Sequence, residues 1–368
     1  KIHTYTQEGR LFEGKTPASA FLNSSYDGSF IAGLMELRYI QSLPVERIIN
    51  YFESHGFTLK KPTAHKLIEK ASSLFENLYK CIRQTALSDP YKAADETYYK
   101  ILVPEKNSKG KGVRKGYLWV VVGINTRMIY LLYDDGSRSE RVILNELGSC
   151  KGIIQSDGYS PYRKLESDAY PNITRIPCLQ HIKRKFIDCG EKDPDAKRIV
   201  ELINALYQNE HKHKVGVEGW TVEQNLMHRK KYAPDILGEI KDVLDEIEER
   251  GDLLPKSELQ EAITYLRNEW NAVVDIFNYG DTYLDNNMVE RMNRYISLSR
   301  KNSLFFGSHK GAERGAILYT IALTCRMHKV NLFEYLTDVI NRTAEWQPNT
   351  PIEKYRELLP DRWEKAND

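Results

Sequence analysis

Three acidic residues occupy positions at which carboxylates could hold metal ions. Asp95 lies among small apolar neighbours in a strand-like segment, so we expect it to face a covered surface. Asp157 directly follows the apolar segment 152–155, and open α/β sheets place their ligands at that carboxyl end of a strand. Glu290 lies in a helix-like segment that opens with Asp and Asn capping residues. These three carboxylates are the first candidates for chemistry.

Carboxylates on adjacent strands and a crossing helix supply the oxygen ligands that hard divalent cations prefer. Two such ions about 4 Å apart activate a water and stabilise the leaving oxygen in an in-line phosphoryl displacement. The chain contains 51 acidic residues, however, so spacing alone does not select a triad. Spacing alone favours a structural interpretation, in which one of the three acidic residues is a buried cap and the other two are turn residues.

The elements that would position these residues follow from the apolar pattern. Residues 29–88 have helical spacing and predict a small helical domain after an extended leader at 1–28. Two helices joined by a Gly-containing turn, with Lys60, Lys61 and Lys66 on the second, resemble a helix-turn-helix that binds DNA.

Strand-like segments dominate the chain after residue 88. Segments 98–103, 116–124 and 128–133 predict an antiparallel meander. A helix at 139–147 and short strands at 152–155 and 173–176 follow, so the fold class is predicted to be mixed α/β. Helical periodicity returns over residues 191–280, and further helices precede a C-terminal tail at 346–368.

Composition excludes several classes of protein. The chain has 368 residues, 41% of them hydrophobic, which suffices for a sizeable core, and a net charge of +2 excludes a uniformly basic nucleic-acid coat. No apolar run is long enough to span a membrane and no signal peptide is visible, so we expect a cytoplasmic protein without a membrane partner. The five scattered cysteines argue against a disulfide framework. The missing initiator methionine suggests a fragment or a trimmed chain.

Six segments resemble, in order, the blocks of the IS66-family transposases. They begin with Ala94-Asp95-Glu96-Thr97 and Gly116-Tyr117-Leu118-Trp119-Val120, and continue with Gln155-Ser156-Asp157-Gly158-Tyr159 and 178–186. The last two are Asp285-Asn286-Asn287-Met288-Val289-Glu290-Arg291 and Gly307-Ser308-His309-Lys310-Gly311. The similarity covers residues from about Thr16 to Trp363. The leader and the cysteine-rich region usual in full-length members are not visible.

The resemblance implies a DDE-type enzyme with an RNase H-like catalytic core. Asp95, Asp157 and Glu290 would be its catalytic residues and would bind two Mg²⁺ or Mn²⁺ ions. Residues 89–190 would be the first part of the core, 191–280 a helical insertion, and 281–345 the completion of the core. As a member of a bacterial family, the protein would be nucleoid-associated when bound to DNA.

Cys178 and His181 form a Cys-x2-His pair downstream of the second aspartate. The resemblance suggests that they support the active site and the start of the insertion. A zinc site completed by Cys189 and by His211 or His213 is the less favoured alternative, because no paired second half stands at zinc-finger spacing.

Three acid-free basic segments offer contacts to DNA phosphates, and two of them flank the candidate carboxylates. Their candidate DNA-binding residues are Lys109, Lys111, Arg114, Lys183, Arg184, Lys185, Arg291, Arg294, Arg300 and Lys301. Arg294 could share a helix face with Glu290 and either orient that carboxylate or hold a phosphate. Phe305 and Phe306 are predicted to be core residues rather than base-stacking ones, and the acidic segment 239–249 is predicted to face away from the DNA.

The leading hypothesis is therefore a DNA transposase that hydrolyses a phosphodiester at the element end and joins the freed 3′-hydroxyl to target DNA. Two alternatives stay open: an RNase H-like nuclease that cuts without joining, and a DNA-binding or assembly protein without catalysis. Synapsis of two ends makes a homodimer an expectation from function. The resemblance also suggests small accessory proteins of the element as partners.

Overall fold

The structure, a computed structural model, describes residues 4–13, 20, 21, 24–106, 110, 112–190, 193–212, 219–344, 346, 347 and 349–365. The N-terminal part contains a hairpin and four helices: β1 (Thr4–Gln7), β2 (Arg10–Glu13), α1 (Gly28–Met35), α2 (Val45–Ser54), α3 (Lys61–Leu74) and α4 (Glu76–Ser88). A π-helical turn, Glu36–Ile40, continues α1. Strands β1 and β2 pair in antiparallel register. This hairpin occupies part of the segment predicted to be an extended leader.

The helix-turn-helix segment consists of α2 and α3. Pro62 stands in the first turn of α3, where a missing backbone N–H costs nothing. Lys60, Lys61 and Lys66 are exposed, and Lys61 forms an ion pair with Glu46 of α2. The helical pattern is therefore confirmed, while recognition of DNA by this pair stays a prediction.

A five-stranded mixed sheet lies at the centre of the molecule. Its strands are β3 (Tyr91–Leu102), β4 (Val113–Gly123), β5 (Ile129–Leu132), β6 (Gly152–Ser156) and β7 (Ile173–Pro177), in the order β5-β4-β3-β6-β7. β3 to β5 form the predicted antiparallel meander, and β6 and β7 add to β3 in parallel. The mixed α/β class is confirmed, and β3 begins seven residues before the predicted strand.

Helices cover the sheet and follow it along the chain. They are α5 (Glu140–Leu147), α6 (Ser160–Arg163), α7 (Leu179–Asp188), α8 (Pro194–Lys212), α9 (Val222–Arg250), α10 (Glu258–Ile276), α11 (Asn287–Asn302), α12 (His309–Met327), α13 (Leu332–Thr343) and α14 (Ile352–Arg356). α12 packs against β5, where Thr320 Oγ1 accepts a hydrogen bond from Leu131 N at 2.9 Å. Among the described residues, no helix is long and apolar enough to cross a membrane.

The segment predicted to be a C-terminal tail is folded against the rest of the chain. Leu358 and Leu359 are buried, and Tyr335 of α13 donates a hydrogen bond to Leu358 O at 2.8 Å. Trp363 packs edge-on against the same Tyr335 ring. Apolar residues spaced for burial, rather than the prolines near them, decide the conformation of this segment.

Two further predictions meet a mixed outcome. Phe306 is buried and its ring packs against Tyr99, as predicted for a core residue, but Phe305 is exposed. In the acidic segment of α9, Asp245 and Glu248 form ion pairs with Arg267 of α10, and the orientation of this segment away from DNA stays a prediction. All five cysteines are free, as predicted.

Candidate active site

Asp95 and Asp157 lie next to each other at one edge of the sheet. β3 and β6 run parallel, with Ala93 opposite Gln155. Asp95 follows that pair by two residues within β3, and Asp157 follows it by two residues, one position past the end of β6. The parallel register therefore brings together two carboxylates that are far apart in the sequence.

The carboxyl group of Asp95 is buried in an unfavourable electrostatic environment. Burial, followed by the negative charges of Glu96 and Asp157, raises the pKa of Asp95 to about 8. Two hydrogen bonds oppose this shift: Glu96 N donates to Asp95 Oδ1 at 2.8 Å, and Asn293 Nδ2 donates to Asp95 Oδ2 at 2.5 Å. A metal-free Asp95 is thus protonated at neutral pH, and a cation would favour its charged form.

Helix α11 carries Glu290 toward this edge. Asn293, which binds Asp95, follows Glu290 by three residues, and residues three apart are neighbours on a helix surface. In the described part of the chain, Glu290 Oε1 is buried without a hydrogen-bond partner, and His181 Nδ1 lies 3.7 Å from it. The oxygens of Asp95, Asp157 and Glu290 do not all lie within 4.8 Å of one another. The fold brings α11 to Asp95 without closing the three carboxylates into one cluster.

Cys178 connects the elements around the site. Its Sγ accepts a hydrogen bond from Asn286 N at 3.3 Å, and its own N–H donates to Ser156 O at 3.0 Å. Asn286 in turn donates from Nδ2 to Ala94 O at 3.0 Å, one residue before Asp95. These bonds link β3, β6 and the starts of α7 and α11, and support of the active site by Cys178 and His181 stays a prediction.

Cys178 Sγ, a ring nitrogen of His181 and a carboxylate oxygen of Glu290 lie within 4.8 Å of one another. Sulfur, imidazole and carboxylate are donors that zinc accepts. Burial raises the pKa of the Cys178 thiol to about 12, so a metal ion would have to displace the thiol proton to bind there. Within the described residues, Cys189 and His211 take no part in this group, and His213 lies outside them.

The turn after β6 holds Asp157 through contacts from α10. Gly158 N donates to Tyr265 Oη at 2.8 Å, and a Cβ at position 158 would lie 2.5 Å from that oxygen, so only glycine fits here. Arg175 of β7 donates to Asp157 O at 2.9 Å and to Ser156 Oγ at 3.1 Å. Arg175 is itself ion-paired with buried Glu269 of α10. The helical segment 191–280 therefore supports the second aspartate directly.

A cavity of about 340 Å³ opens at Asp157. Four basic or ionisable side chains, Arg138, His181, Arg184 and Lys185, line it together with Gly158, Tyr159, Asp188 and Tyr265. Three of these side chains carry positive charge at neutral pH, which suits a phosphate group next to a carboxylate.

The comparisons with known proteins show the family of the chain. Residues 23–314 match the model of the family described as "Transposase IS66 family". The chain belongs to the IS66 family of transposases. Membership implies a function on DNA that is related to transposition, and it confirms the resemblance seen in the sequence.

Relatives in Sinorhizobium fredii (strain NBRC 101917 / NGR234) extend the similarity over most of the chain. The uncharacterised protein y4jD is 25% identical over 370 residues, which cover 97% of this chain and 70% of y4jD. The uncharacterised protein y4hP is 25% identical over 88% of this chain and 60% of its own length. For y4qI, 28% identity extends over 71% of this chain and 49% of that protein. The IS66-family chain thus spans only part of the length of these relatives.

The predicted DNA-binding residues of this IS66-family chain fall in several places. Arg184 and Lys185 line the cavity at Asp157, and Lys183 lies over the ring of Tyr207. Arg114 and Lys301 are exposed, on β4 and α11. Lys109 and Lys111 lie outside the described residues.

A row of alternating cations and tyrosines leads to the same cavity, and the sequence pattern did not reveal it. Arg300 lies 3.9 Å and Lys115 4.4 Å from the ring of Tyr98, and Arg138 lies 4.1 Å from the ring of Tyr159. Tyr117, which pairs with Tyr98 across β3 and β4, has Lys115 and Arg138 within 5.2 Å. We call Arg300, Tyr98, Lys115, Tyr117, Arg138 and Tyr159 the cation–tyrosine row.

Arg291 and Arg294 do not line the cavity at Asp157. They line a separate cavity of about 440 Å³ on another side of α11, which we call the second basic cavity. Each follows an inward residue, Glu290 or Asn293, by one position, and one position rotates a side chain by about 100° around a helix. Asn293 therefore takes the position next to Asp95, while Arg294, which we considered as a neighbour of Glu290, lines the second basic cavity.

Pattern reasoning also missed Asn293, Arg175 and Tyr265. Each is a polar residue in a helix or strand whose sequence neighbourhood reads as ordinary amphipathic structure. Arg175 and Tyr265 meet Asp157 only because β7 and α10 pack at the end of β6. Asn293 carried one usable signal, its position three residues after the candidate glutamate.

Proposed function

We propose that this IS66-family protein is a DDE-type transposase with an RNase H-like core. In this proposal it hydrolyses a phosphodiester at the element end and transfers the freed 3′-hydroxyl into target DNA. The observation that carries the proposal is the parallel register that sets Asp95 beside Asp157, with α11 bound to Asp95 through Asn293.

The residues at this edge fit divalent metal ions. Glu290 Oε1 is a buried carboxylate oxygen without a hydrogen-bond donor in the described structure, and burial beside two negative charges raises the pKa of Asp95. A cation would stabilise the charged form of both carboxyl groups. Asp95, Asp157 and Glu290 would hold two Mg²⁺ or Mn²⁺ ions. Such ions activate a water and stabilise the leaving oxygen.

The chain's own residues position the DNA. Arg184 and Lys185 would bind phosphates at the cavity beside Asp157, and the cation–tyrosine row would guide one strand toward it. The two stacked guanidinium groups also donate hydrogen bonds within the protein, Arg300 to Tyr98 O and Ser297 Oγ, and Arg138 to Glu96. In the described structure, Lys115 and Arg300 have no acidic partner, while Glu96 holds Arg138 in place. His181 would orient Glu290.

The decisive experiment replaces each carboxylate by its amide. Asp95→Asn, Asp157→Asn and Glu290→Gln are expected to lower end cleavage and strand transfer at least about a thousandfold, at unchanged DNA affinity, because each removes an anionic metal ligand. Asp188→Asn is the matched control, since Asp188 lines the same cavity outside the triad. Retained cleavage in Asp157→Asn would overturn the assignment.

A second substrate separates the transposase from a nuclease that only cuts. A pre-cleaved end with a free 3′-hydroxyl is incubated with a second duplex and Mg²⁺, and joined products are counted. Joining that depends on Asp95, Asp157 and Glu290 supports the transposase. Cleavage of intact ends without joining supports the nuclease.

A further inference from the structure

The second basic cavity lies at the junction of three elements. Its lining comes from α11, from the turn between β4 and β5, and from the end of α12. It shares no lining residue with the cavity at Asp157. The two cavities therefore form separate surfaces, and of the two only the second basic cavity is lined by residues of α11.

The charge of this cavity has one sign. Its lining includes five cations and no acidic residue: Arg127, Arg291, Arg294, Arg326 and Lys329. Within the described residues, none of the five forms an ion pair. Burial raises the pKa of Asp285, which lies two residues before α11, and the charge of Arg291 opposes that rise. Asp285 lies outside the cavity lining. Like charges repel, so this arrangement costs free energy unless an anion neutralises it.

Two of the five cations stand on unusual backbone. Arg127 has φ of 53° and Lys329 has φ of 58°, in the left-handed region that glycine and asparagine occupy at lower cost. Lys329 follows the C-cap of α12, where glycine is the commonest residue. Both turns thus carry a long basic side chain at a position where the local geometry favours a small residue.

A third cation of the cavity, Arg326, is stacked on an aromatic ring. Arg326 lies 3.9 Å from the ring centre of Tyr295, and the remaining lining is apolar, with Met288, Met292 and Met327. A guanidinium stacked on a ring loses less freedom when it binds a phosphate, because its orientation is already set.

We infer that the second basic cavity binds the phosphates of a second DNA segment, separate from the strand at Asp157. This inference rests on the proposed function, because joining a 3′-hydroxyl to target DNA requires two DNA segments on one protein assembly. A duplex offers closely spaced negative charges, and five unpaired cations match a run of phosphates better than a single anion. The segment bound here would be the target DNA.

The test measures, in the absence of divalent metal, whether protein bound to one DNA segment captures a second. Protein is bound to an immobilised duplex that carries the element end, and capture of a second, labelled duplex is measured at several salt concentrations. The variant Arg127→Asn/Lys329→Asn removes two charges, and asparagine accepts the left-handed backbone. Lys80→Gln/Lys354→Gln is the matched control, since these exposed lysines line neither cavity.

The Arg127→Asn/Lys329→Asn variant is expected to bind the first duplex within about twofold of wild type and to capture the second about tenfold less. The slope of log capture against log salt should fall by about 1.8, or about 0.9 per lost phosphate contact. Arg127→Lys/Lys329→Arg should restore capture, which separates loss of charge from misfolding. The Lys80→Gln/Lys354→Gln control should behave as wild type.

Several results would overturn the inference. They are a wild-type protein that captures no second duplex, a charge-removing variant that captures as wild type does, and an equal loss of both duplexes. Polyglutamate serves as a second probe. If the Arg127→Asn/Lys329→Asn variant loses polyglutamate binding but captures DNA as wild type does, the cavity binds an acidic protein instead. Because capture needs no catalysis, Asp157→Asn should retain it. A failure of the catalytic proposal is therefore distinguishable from a failure of this one.

Discussion

Asn293 donates a hydrogen bond from Nδ2 to Asp95 Oδ2 at 2.5 Å and so joins α11 to the first strand of the parallel pair. Asn293 lies one turn after Glu290, and its own Oδ1 is buried without a partner in the described structure. This amide is one of several contacts between the glutamate helix and β3, and it is the one made to the carboxyl group of Asp95. An arginine at this position would neutralise Asp95, whereas an amide leaves the carboxyl group available to a cation.

Asn293→Ala is expected to lower end cleavage by about 10- to 100-fold. A hydrogen bond to a charged group contributes about 1.5–3 kcal/mol, and its loss frees α11 from Asp95. Single-turnover cleavage under saturating DNA measures the effect. Asn302→Ala, at the exposed end of the same helix, is the matched control and should leave cleavage unchanged. Equal activity of both variants would remove Asn293 from the positioning role.

The affinity for Mg²⁺ should depend steeply on pH. Because the pKa of Asp95 is raised to about 8, Mg²⁺ must displace a proton below that pH. We expect the apparent affinity to rise by about tenfold per pH unit up to about pH 8 and then to level off. Titration calorimetry between pH 6 and 9 measures this. Asp188→Asn should keep the slope, and a flat profile in the wild-type protein would contradict the prediction.

Asp95→Asn should stabilise the metal-free protein at high pH. The folded state holds Asp95 protonated while the unfolded state ionises it, so folding takes up a proton between about pH 4 and pH 8, and stability falls as pH rises through this window. The penalty approaches about 1.4 kcal/mol per pH unit, and the neutral amide avoids it. Thermal melts in EDTA at pH 5 and pH 8 should show a larger gain at pH 8. A pH-independent difference would contradict this assignment.

Arg175→Met should destabilise the protein by about 3–5 kcal/mol, because it leaves Glu269 buried without its main charge partner and frees the backbone at Asp157. Urea unfolding measures the free energy, and cleavage should fall with it. Arg163 lies 3.9 Å from the same Glu269 but is partly exposed. Arg163→Met is therefore the control, with an expected loss below about 1 kcal/mol.

The strands could be predicted because their signals are local. Alternating β-branched and aromatic residues, with a tight turn at 123–127, indicated β4 and β5 to within a few residues. β3 begins earlier than predicted, since Tyr91, Ala93 and Ala94 are buried there by pairing with β6, which the local sequence does not show. Burial likewise decided the conformation of the C-terminal segment, where prolines suggested a tail.

The candidate catalytic residues are distinguished by the order of their motifs and not by their spacing. Asp95, Asp157 and Glu290 stand in blocks that resemble one family, and nothing in their separation distinguishes them from other acidic residues of the chain. For the two aspartates, the structure supplies a physical relation: the parallel register of β3 and β6 brings them to the same edge of the sheet. For Glu290 it supplies Asn293 and His181 as neighbours.

The sequence by itself determined the mixed α/β class, the main helices and strands and the family, because periodicity, turn residues and ordered motifs are properties of short segments. Only the tertiary structure decided which faces meet. It assigned Arg291 and Arg294 to a cavity apart from Asp157, assembled the cation–tyrosine row from five separate segments, and gave Asp95 its raised pKa. These are consequences of burial and of charge–charge distance, which depend on how the chain packs.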